Sequence, residues 1–284
     1  VDCVLKARPS SRNKSPYVAD VNITEEDRDA IAHVPSLNLG GKCIPGSRCL
    51  MKFARKTTGK KERVGSDEVS KKYGTPKCEL HSCLVKYKNT WIGAHPKIGE
   101  DIAANLLSEG STYGPIHSSK IVKCLREVSG VANTDMRTDF VLEHEDGTHS
   151  IVEVKTVVDS DSDIYDEGTN GAIFPWGNKN QKYNGQKVVS ARAIKHVTEL
   201  TSIGSGEKND EKYPELRACV LFIVVRDDCV YFRPHKEACS VFAEALENAN
   251  DNNVNIVAHS IKWENDKDGN MKGYDNGNLH VVLG

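Results

Sequence analysis

The chain has 284 residues, a formal net charge of −2, 38% hydrophobic and 27% charged residues. That balance supports a real core and excludes wholesale disorder. The longest apolar run, Ala218 to Val225, has the length of a strand and falls well short of the roughly 20 residues of a membrane helix. At about 100–200 residues per domain, the length predicts one large domain or two modest ones. Nine cysteines, odd in number and scattered, do not form a disulfide framework and point to a reducing, intracellular compartment. That compartment is the cytoplasm in a bacterium, with nucleus or organelle open in a eukaryote. No secretory signal precedes the first elements, and a start at Val1 leaves a removed leader open. Cys78, His81 and Cys83, with Cys43 and Cys49 upstream, raise a zinc reading. No pair of C-x2-C knuckles supports it, and buried structural thiols are preferred.

Charge is unevenly placed. Residues 1–95 hold 18 Lys plus Arg against 10 Asp plus Glu, and the remainder 20 against 30. The basic first part carries Arg8, Arg12, Lys14, Lys52, Arg55, Lys56, Lys60, Lys61 and Arg63. Such a patch attracts phosphates through counterion release, against the plainer reading of a solvated face.

In chain order, Tyr17–Ile23, Ala30–Val34, Arg48–Phe53 and Leu80–Tyr87 are predicted strands, separated by Gly- and Pro-rich turns. They suggest a small barrel or sandwich. A helix over 99–109 follows, and a domain border falls near 89–95. Ile121–Val128, Thr138–Glu143 and Ser150–Val158 are the next predicted strands. The acidic run Asp159, Asp161, Asp163, Asp166 and Glu167 reads as a solvated loop. A helix is predicted over Lys187–Ser202, and Leu216–Val225 suits a buried central strand. Val230–Phe232 is expected to pair with that strand. A helix over Glu237–Ala249, a strand over Val254–Trp263 and a polar loop over Glu264–Asn278 complete the chain. Together these elements predict an α/β sandwich around a mixed sheet.

The chemistry gathers on two neighbouring strands. Glu153 and Lys155 are two residues apart on one strand, so they point the same way, about 6.6 Å apart. Asp139, on the strand joined by the Glu145–Gly147 turn, is placed to reach the same spot. An acid and a lysine on an apolar strand are costly if buried without partners. Two carboxylates suit Mg²⁺ or Mn²⁺, which polarises a phosphate and activates a bound water. Lysine is suited to orient that water or to meet charge developing on the phosphate. The bland alternative is a cross-strand salt bridge. On the next helix Arg192, His196 and Glu199 recur at i, i+4 and i+7 beside Lys195, opposite an apolar stripe of Val189, Ala193, Val197 and Leu200. The Asp…Glu-x-Lys arrangement is that of the PD-(D/E)XK nuclease core.

The sequence resembles the sugar fermentation stimulation protein (SfsA) family. The segments that carry the likeness are Arg137-Thr-Asp-Phe-Val-Leu142, Val152-Glu-Val-Lys-Thr-Val157, Phe174-Pro175, Arg192-Ala-Ile-Lys-His-Val-Thr-Glu-Leu200 and Leu221-Phe-Ile-Val-Val225, with Arg12-Asn-Lys-Ser-Pro-Tyr-Val-Ala-Asp-Val21 near the start. The resemblance implies an α/β protein with a small all-β domain. An OB-fold-like, nucleic-acid-binding barrel over 1–90 would precede a PD-(D/E)XK nuclease-like domain over 91–284, a restriction-endonuclease-like mixed sheet flanked by helices. It places Asp139, Glu153 and Lys155 on the core motif, Arg192, Lys195, His196 and Glu199 on the helix motif, and Glu127 at an acidic position of the preceding strand. The pattern departs at Phe174-Pro175-Trp176-Gly177, where the family has F-P-D-A, and at Arg192-Ala193, Val34-Pro35-Ser36-Leu37-Asn38 and Ala94-His95-Pro96.

The implied function is DNA binding with a Mg²⁺- or Mn²⁺-dependent phosphodiesterase site. Asp139 and Glu153 are the expected metal ligands, with Glu127 a weaker third. Lys155, Lys195, His196 and Glu199 complete the expected catalytic set. Arg12, Lys14, Lys56, Lys60, Lys61 and Arg192 are the expected nucleic-acid contacts, DNA being preferred to RNA as the partner and no membrane expected. Oligomeric state stays open, a homodimer being one option. The alternative, motivated by the acid lost at Trp176, is a non-catalytic DNA-binding regulator of sugar metabolism on a degenerate nuclease fold.

Overall fold

The computed structural model describes residues 1–35, 39–56, 62–164 and 169–284. It divides into two compact units, one of Val1–Ile98 with Asn265–Met271, the other of Gly99–Glu264 with Lys272–Gly284.

The first unit is built from β1 (Asp2–Ala7), β2 (Val18–Ile23), β3 (Arg28–His33), β4 (Arg48–Phe53), β5 (Leu80–Tyr87) and β6 (Thr90–Gly93). Sheet order is β3-β2-β1-β4-β5-β6, and β3 also pairs with β5 in parallel through Ala32 and His33. That extra pairing closes the first five strands into a barrel, the arrangement of an OB fold. Inward positions alternate along the strands, and Leu5, Val21, Ile23, Ile31, Leu80 and Ile92 are fully buried. Strands β1 and β6 add two elements to those expected from sequence. All nine cysteines are free thiols.

The second unit contains helix α1 (Ile98–Leu106), then β7 (Ile121–Ser129), β8 (Arg137–His144), β9 (His149–Val157), β10 (Asp159–Ser160), β11 (Gly171–Phe174), β12 (Gln181–Tyr183), β13 (Gln186–Val188), α2 (Ala191–Gly204), β14 (Leu216–Val224), β15 (Tyr231–Pro234), α3 (Ser240–Asp251), β16 (Asn255–Asn265) and β17 (Met271–Val281). Among the described residues, nine of these strands form one mixed sheet in the order β10-β11-β15-β17-β16-β14-β9-β8-β7, and β12–β13 form a separate ribbon. The centre is parallel: β14 runs with β9 and with β16. Its residues Val220 to Val225 are wholly buried, as a continuous apolar run in a covered parallel strand requires. Helices α2 and α3 pack together on this sheet through Ile194, Val197, Leu200, Phe242 and Leu246. The fold is therefore mixed α/β after a small all-β barrel.

Four expectations change. Glu264–Asn278 is not a loop: β16 and β17 run through it, and the outer face of β17 is polar because it meets solvent. Gly273 lets Trp263 lie across β17, since a Cβ there would meet the indole at 2.9 Å. Tyr231–Pro234 pairs in parallel with β11 and β17 and not with β14. The helix predicted from Lys187 begins at Ala191, because Gln186–Val188 is the second strand of the ribbon. The acidic run at 159–163 is largely internal. Asp161 holds Arg233 at 2.7 Å, and Asp163 holds the buried Arg226 at 2.6 Å, so its charges serve an ion-pair network rather than solvation. Asp166 and Glu167 lie outside the described residues.

Candidate active site

Strands β8 and β9 pair in antiparallel register from Glu143↔His149 to Phe140↔Val152. Beyond Phe140, side chains take over the ladder. The Thr138 hydroxyl donates to the Val152 carbonyl at 3.1 Å, and the Val154 amide donates to Asp139 Oδ2 at 2.7 Å. This substitution fixes Asp139 beside the strand that carries Glu153.

Glu153 is only 2% exposed. Its Oε1 accepts from Lys155 Nζ and from His196 Nδ1, both at 2.5 Å. A carboxylate only accepts, so the imidazole carries its proton on Nδ1. Glu153 Oε2 is buried without a hydrogen-bond partner. Lys155 Nζ also lies 3.4 Å from the Val154 carbonyl. His196 arrives from α2, whose N-terminus is capped by the Ser190 hydroxyl accepting from Ala193, and its ring is buried. The polar stripe of that helix is thus split: His196 faces the sheet, while Arg192 and Lys195 are exposed.

The electrostatics follow from this packing. Burial, then the negative charge of Glu153, pushes Asp139 up to about 6, against a pull downward from the Val154 N–H and Lys155. Burial would also raise Glu153, but the His196 hydrogen bond and Lys155 outweigh it and hold that carboxyl low. Burial and the charge partners thus separate the proton affinities of two acids in one partly dry site. Glu100, in the first turn of α1, adds repulsion to Asp139. The sequence reading passed over it; the signal available was the Gly99-Glu-Asp101 head of a helix, where acids are favoured by the dipole. Gly99 lets that helix approach β9, since a Cβ there would meet Thr156 Oγ1 at 2.1 Å.

The other candidates lie apart from this cluster. Glu127 is exposed and pairs with Arg137. Glu199 is held by Lys208 at 2.5 Å, and Lys195 by Asp135 at 3.4 Å. In the barrel unit, Arg12 pairs with Asp20 at 3.7 Å, and Lys56 with Glu62 and Glu68. Lys14 is exposed, while Lys60 and Lys61 fall outside the described residues. Trp176 is 40% exposed, its ring 5.0 Å from that of buried His235.

Residues 187–267, from the second ribbon strand to just past β16, match the family description "Sugar fermentation stimulation protein RE domain". Over 185 residues the chain is 30% identical to a sugar fermentation stimulation protein homolog of Maricaulis maris, covering 63% of each chain. It is 24% identical over 262 residues to a homolog of Thermosynechococcus vestitus, covering 89% of this chain and 87% of the relative. The chain is thus similar to the SfsA family, in its family-model match and in these relatives. It spans less than two thirds of the length of the Maricaulis relative. The SfsA of Pyrococcus furiosus, solved in complex with Ca²⁺, superimposes with a TM-score of 0.65 at 20% identity, covering 99% of this chain and 95% of that one. That likeness establishes the shared fold: barrel first, mixed sheet after.

Proposed function

We propose that this SfsA-like chain is a divalent-metal-dependent phosphodiesterase acting on DNA. The observation that carries the reading is Glu153, a buried carboxylate with one oxygen bound by Lys155 and His196 and the other left without a partner.

Among the described residues, no group of three His, Cys, Asp or Glu side chains is gathered to hold a metal ion. Mg²⁺ does not need one: it is commonly held by one or two carboxylates and keeps several waters. The unpartnered Glu153 oxygen and the Asp139 carboxyl fit that demand, and the Asp139 carboxyl is a ligand only when ionised. Asp139 and Glu153 would hold the ion, which supplies polarisation of a phosphate and a more acidic water. His196 fixes the Glu153 carboxylate by its Nδ1 proton, so that Oε2 keeps one direction. Lys155, anchored on Glu153 Oε1, presents an ammonium to a phosphate oxygen or to the attacking water. Because a proton and a cation compete for Asp139, activity should rise as pH passes through about 6.

The test is cleavage of single- and double-stranded DNA in Mg²⁺ and Mn²⁺, wild type beside Lys155→Ala. Loss of at least about 100-fold in the variant is expected for removal of a charge-stabilising group. Equal rates would remove Lys155 from the reaction. The second reading, a DNA-binding regulator without turnover, is favoured by Trp176 standing where the family pattern has an acid. DNA binding with no cleavage in either metal would select it.

A further inference from the structure

The segment from Thr169 to Thr198 holds five cations, Lys179, Lys182, Lys187, Arg192 and Lys195, and no Asp or Glu, in a part of the chain that is otherwise acidic. Its middle is the β12–β13 ribbon. Asn184 (φ 45°) and Gly185 (φ 81°) both adopt positive φ, as a two-residue type I′ hairpin turn requires. The register pairs Gln181 with Val188, Lys182 with Lys187, and Tyr183 with Gln186.

Alternation gives the two faces different duties. On one, Val188 is fully buried, Tyr183 reaches Thr198 of α2 at 3.4 Å, and Gln181 Oε1 accepts the Ala191 amide at 2.9 Å. That face seats the ribbon on the helix that delivers His196. The other face presents Lys182 and Lys187 directly opposite one another, both exposed. Like charges in directly opposed positions destabilise a hairpin unless an anion lies across them. The residues that flank them in the chain, Asn178, Lys179, Asn180 and Asn184, are all exposed. Lysines meet phosphates, and carboxamides are matched to the donor and acceptor edges of bases.

We infer that the β12–β13 ribbon is a binding element for duplex DNA that lies in the major groove with Lys179, Lys182 and Lys187 on the phosphates. The inference rests on the nucleic-acid reading above and adds the element and the form of nucleic acid. A two-stranded ribbon fits the B-form major groove, about 12 Å wide, whereas the deep, narrow major groove of A-form RNA excludes it. Unpaired single strands are held instead by aromatic platforms, and none of residues 178–180, 182, 184 and 187 is aromatic.

The test uses the full chain without divalent cation, so that no cleavage intervenes. Anisotropy of labelled duplex DNA, duplex RNA and single-stranded DNA of equal length is followed through a salt titration. Wild type is compared with Lys179→Ala/Lys182→Ala/Lys187→Ala and with Lys182→Gln/Lys187→Gln, which keeps hydrogen-bonding side chains on the face. Each phosphate contact contributes about 0.9 to the slope of log affinity against log salt on B-form DNA. The triple variant should therefore lose about 2.7 of that slope and the double variant about 1.8, with thermal melting unchanged or raised. Duplex DNA bound with an unchanged slope in both variants would overturn the ribbon's role and leave the phosphodiesterase reading standing. Equal preference for RNA duplex or single strand would overturn the groove assignment. A wild type that binds none of the three would overturn the nucleic-acid reading itself.

Discussion

Replacing Asp139 by Asn tests the electrostatics of the site without touching its shape. The amide is isosteric, and its oxygen still accepts the Val154 N–H now bonded to Asp139 Oδ2 at 2.7 Å. What disappears is a negative charge that burial and Glu153 oppose. The Asp139 carboxyl is raised from 3.8 to about 6. Because its folded value lies above its unfolded one, the wild type has full stability from this group only below about 4, and loses it as pH climbs through 6. At about 1.4 kcal/mol per unit, the loss at pH 8 is on the order of 3 kcal/mol. Asp139→Asn should therefore match the wild type near pH 4 and exceed it by up to about 3 kcal/mol at pH 8. In a domain of this size that is a rise of roughly 6–12 °C in melting temperature. Melting of both proteins in chelator from pH 4 to 8 reads the difference directly. Under the proposed function saturating Mg²⁺ should narrow the gap, because an ion held by Asp139 and Glu153 would stabilise only the wild type. Two melting curves that run parallel across the whole pH range would refute the account of Asp139 as a strained acid.

Other changes probe neighbouring contacts. His196→Ala removes a hydrogen bond to a buried carboxylate and should cost about 2–3 kcal/mol in urea unfolding; an unchanged midpoint would show that Lys155 alone sustains Glu153. Arg226 is fully buried between Asp163 and Asp228, which it meets at 2.6 Å each. Arg226→Met strands two carboxylates and should cost about 3–5 kcal/mol in urea unfolding at pH 7; a loss below about 1 kcal/mol would contradict the network. Gly99→Ala puts a Cβ 2.1 Å from Thr156 Oγ1 and should cost about 1–3 kcal/mol, partly recovered by adding Thr156→Ala; additive losses in a double-mutant cycle would show that the clash is not the cause.

Period and turn chemistry made much of this fold legible in advance. Leu216–Val225 read as a buried central strand because its apolar residues run on without alternation from Ala218. The i, i+2 spacing of Glu153 and Lys155 gave their shared face. The Asn184-Gly185 pair was an available hairpin signal that the helical periodicity of the following segment masked, so β13 was absorbed into α2. Strands β10 and β11 are too short for a period to show. Polar strand β17 looked like a loop because a solvent-facing strand needs few apolar residues when its neighbours supply the pairing. The His196–Glu153 contact was the hardest to see. A histidine on a polar helical stripe has no local mark that turns it inward; only the docking of α2 on β9 decides that. The acids at 161 and 163 fail for the same reason, since their partners Arg233 and Arg226 lie 72 and 63 residues away.

The energetic cost of the site bears on whether it works or is a relic. Glu153 is buried with an unpartnered oxygen, which is unfavourable by about 1–3 kcal/mol or more for a charged group. Asp139 adds on the order of 3 kcal/mol near pH 8 from its raised proton affinity. Against a typical total stability of about 5–15 kcal/mol, these are large expenses for a scaffold, and apolar residues of similar volume often replace buried charges with no loss or a gain. A fold retained only to support the barrel or to present a binding surface would be relieved of them by two substitutions. His196 and Lys155 already compensate the Glu153 charge, so what stays unrelieved is its Oε2 and the raised Asp139; the divalent cation of the proposed function would relieve both at once, as a partner for Oε2 and by favouring the ionised form of Asp139. That ion would also make Lys155 intelligible, since an ammonium bound to Glu153 Oε1 leaves Oε2 free.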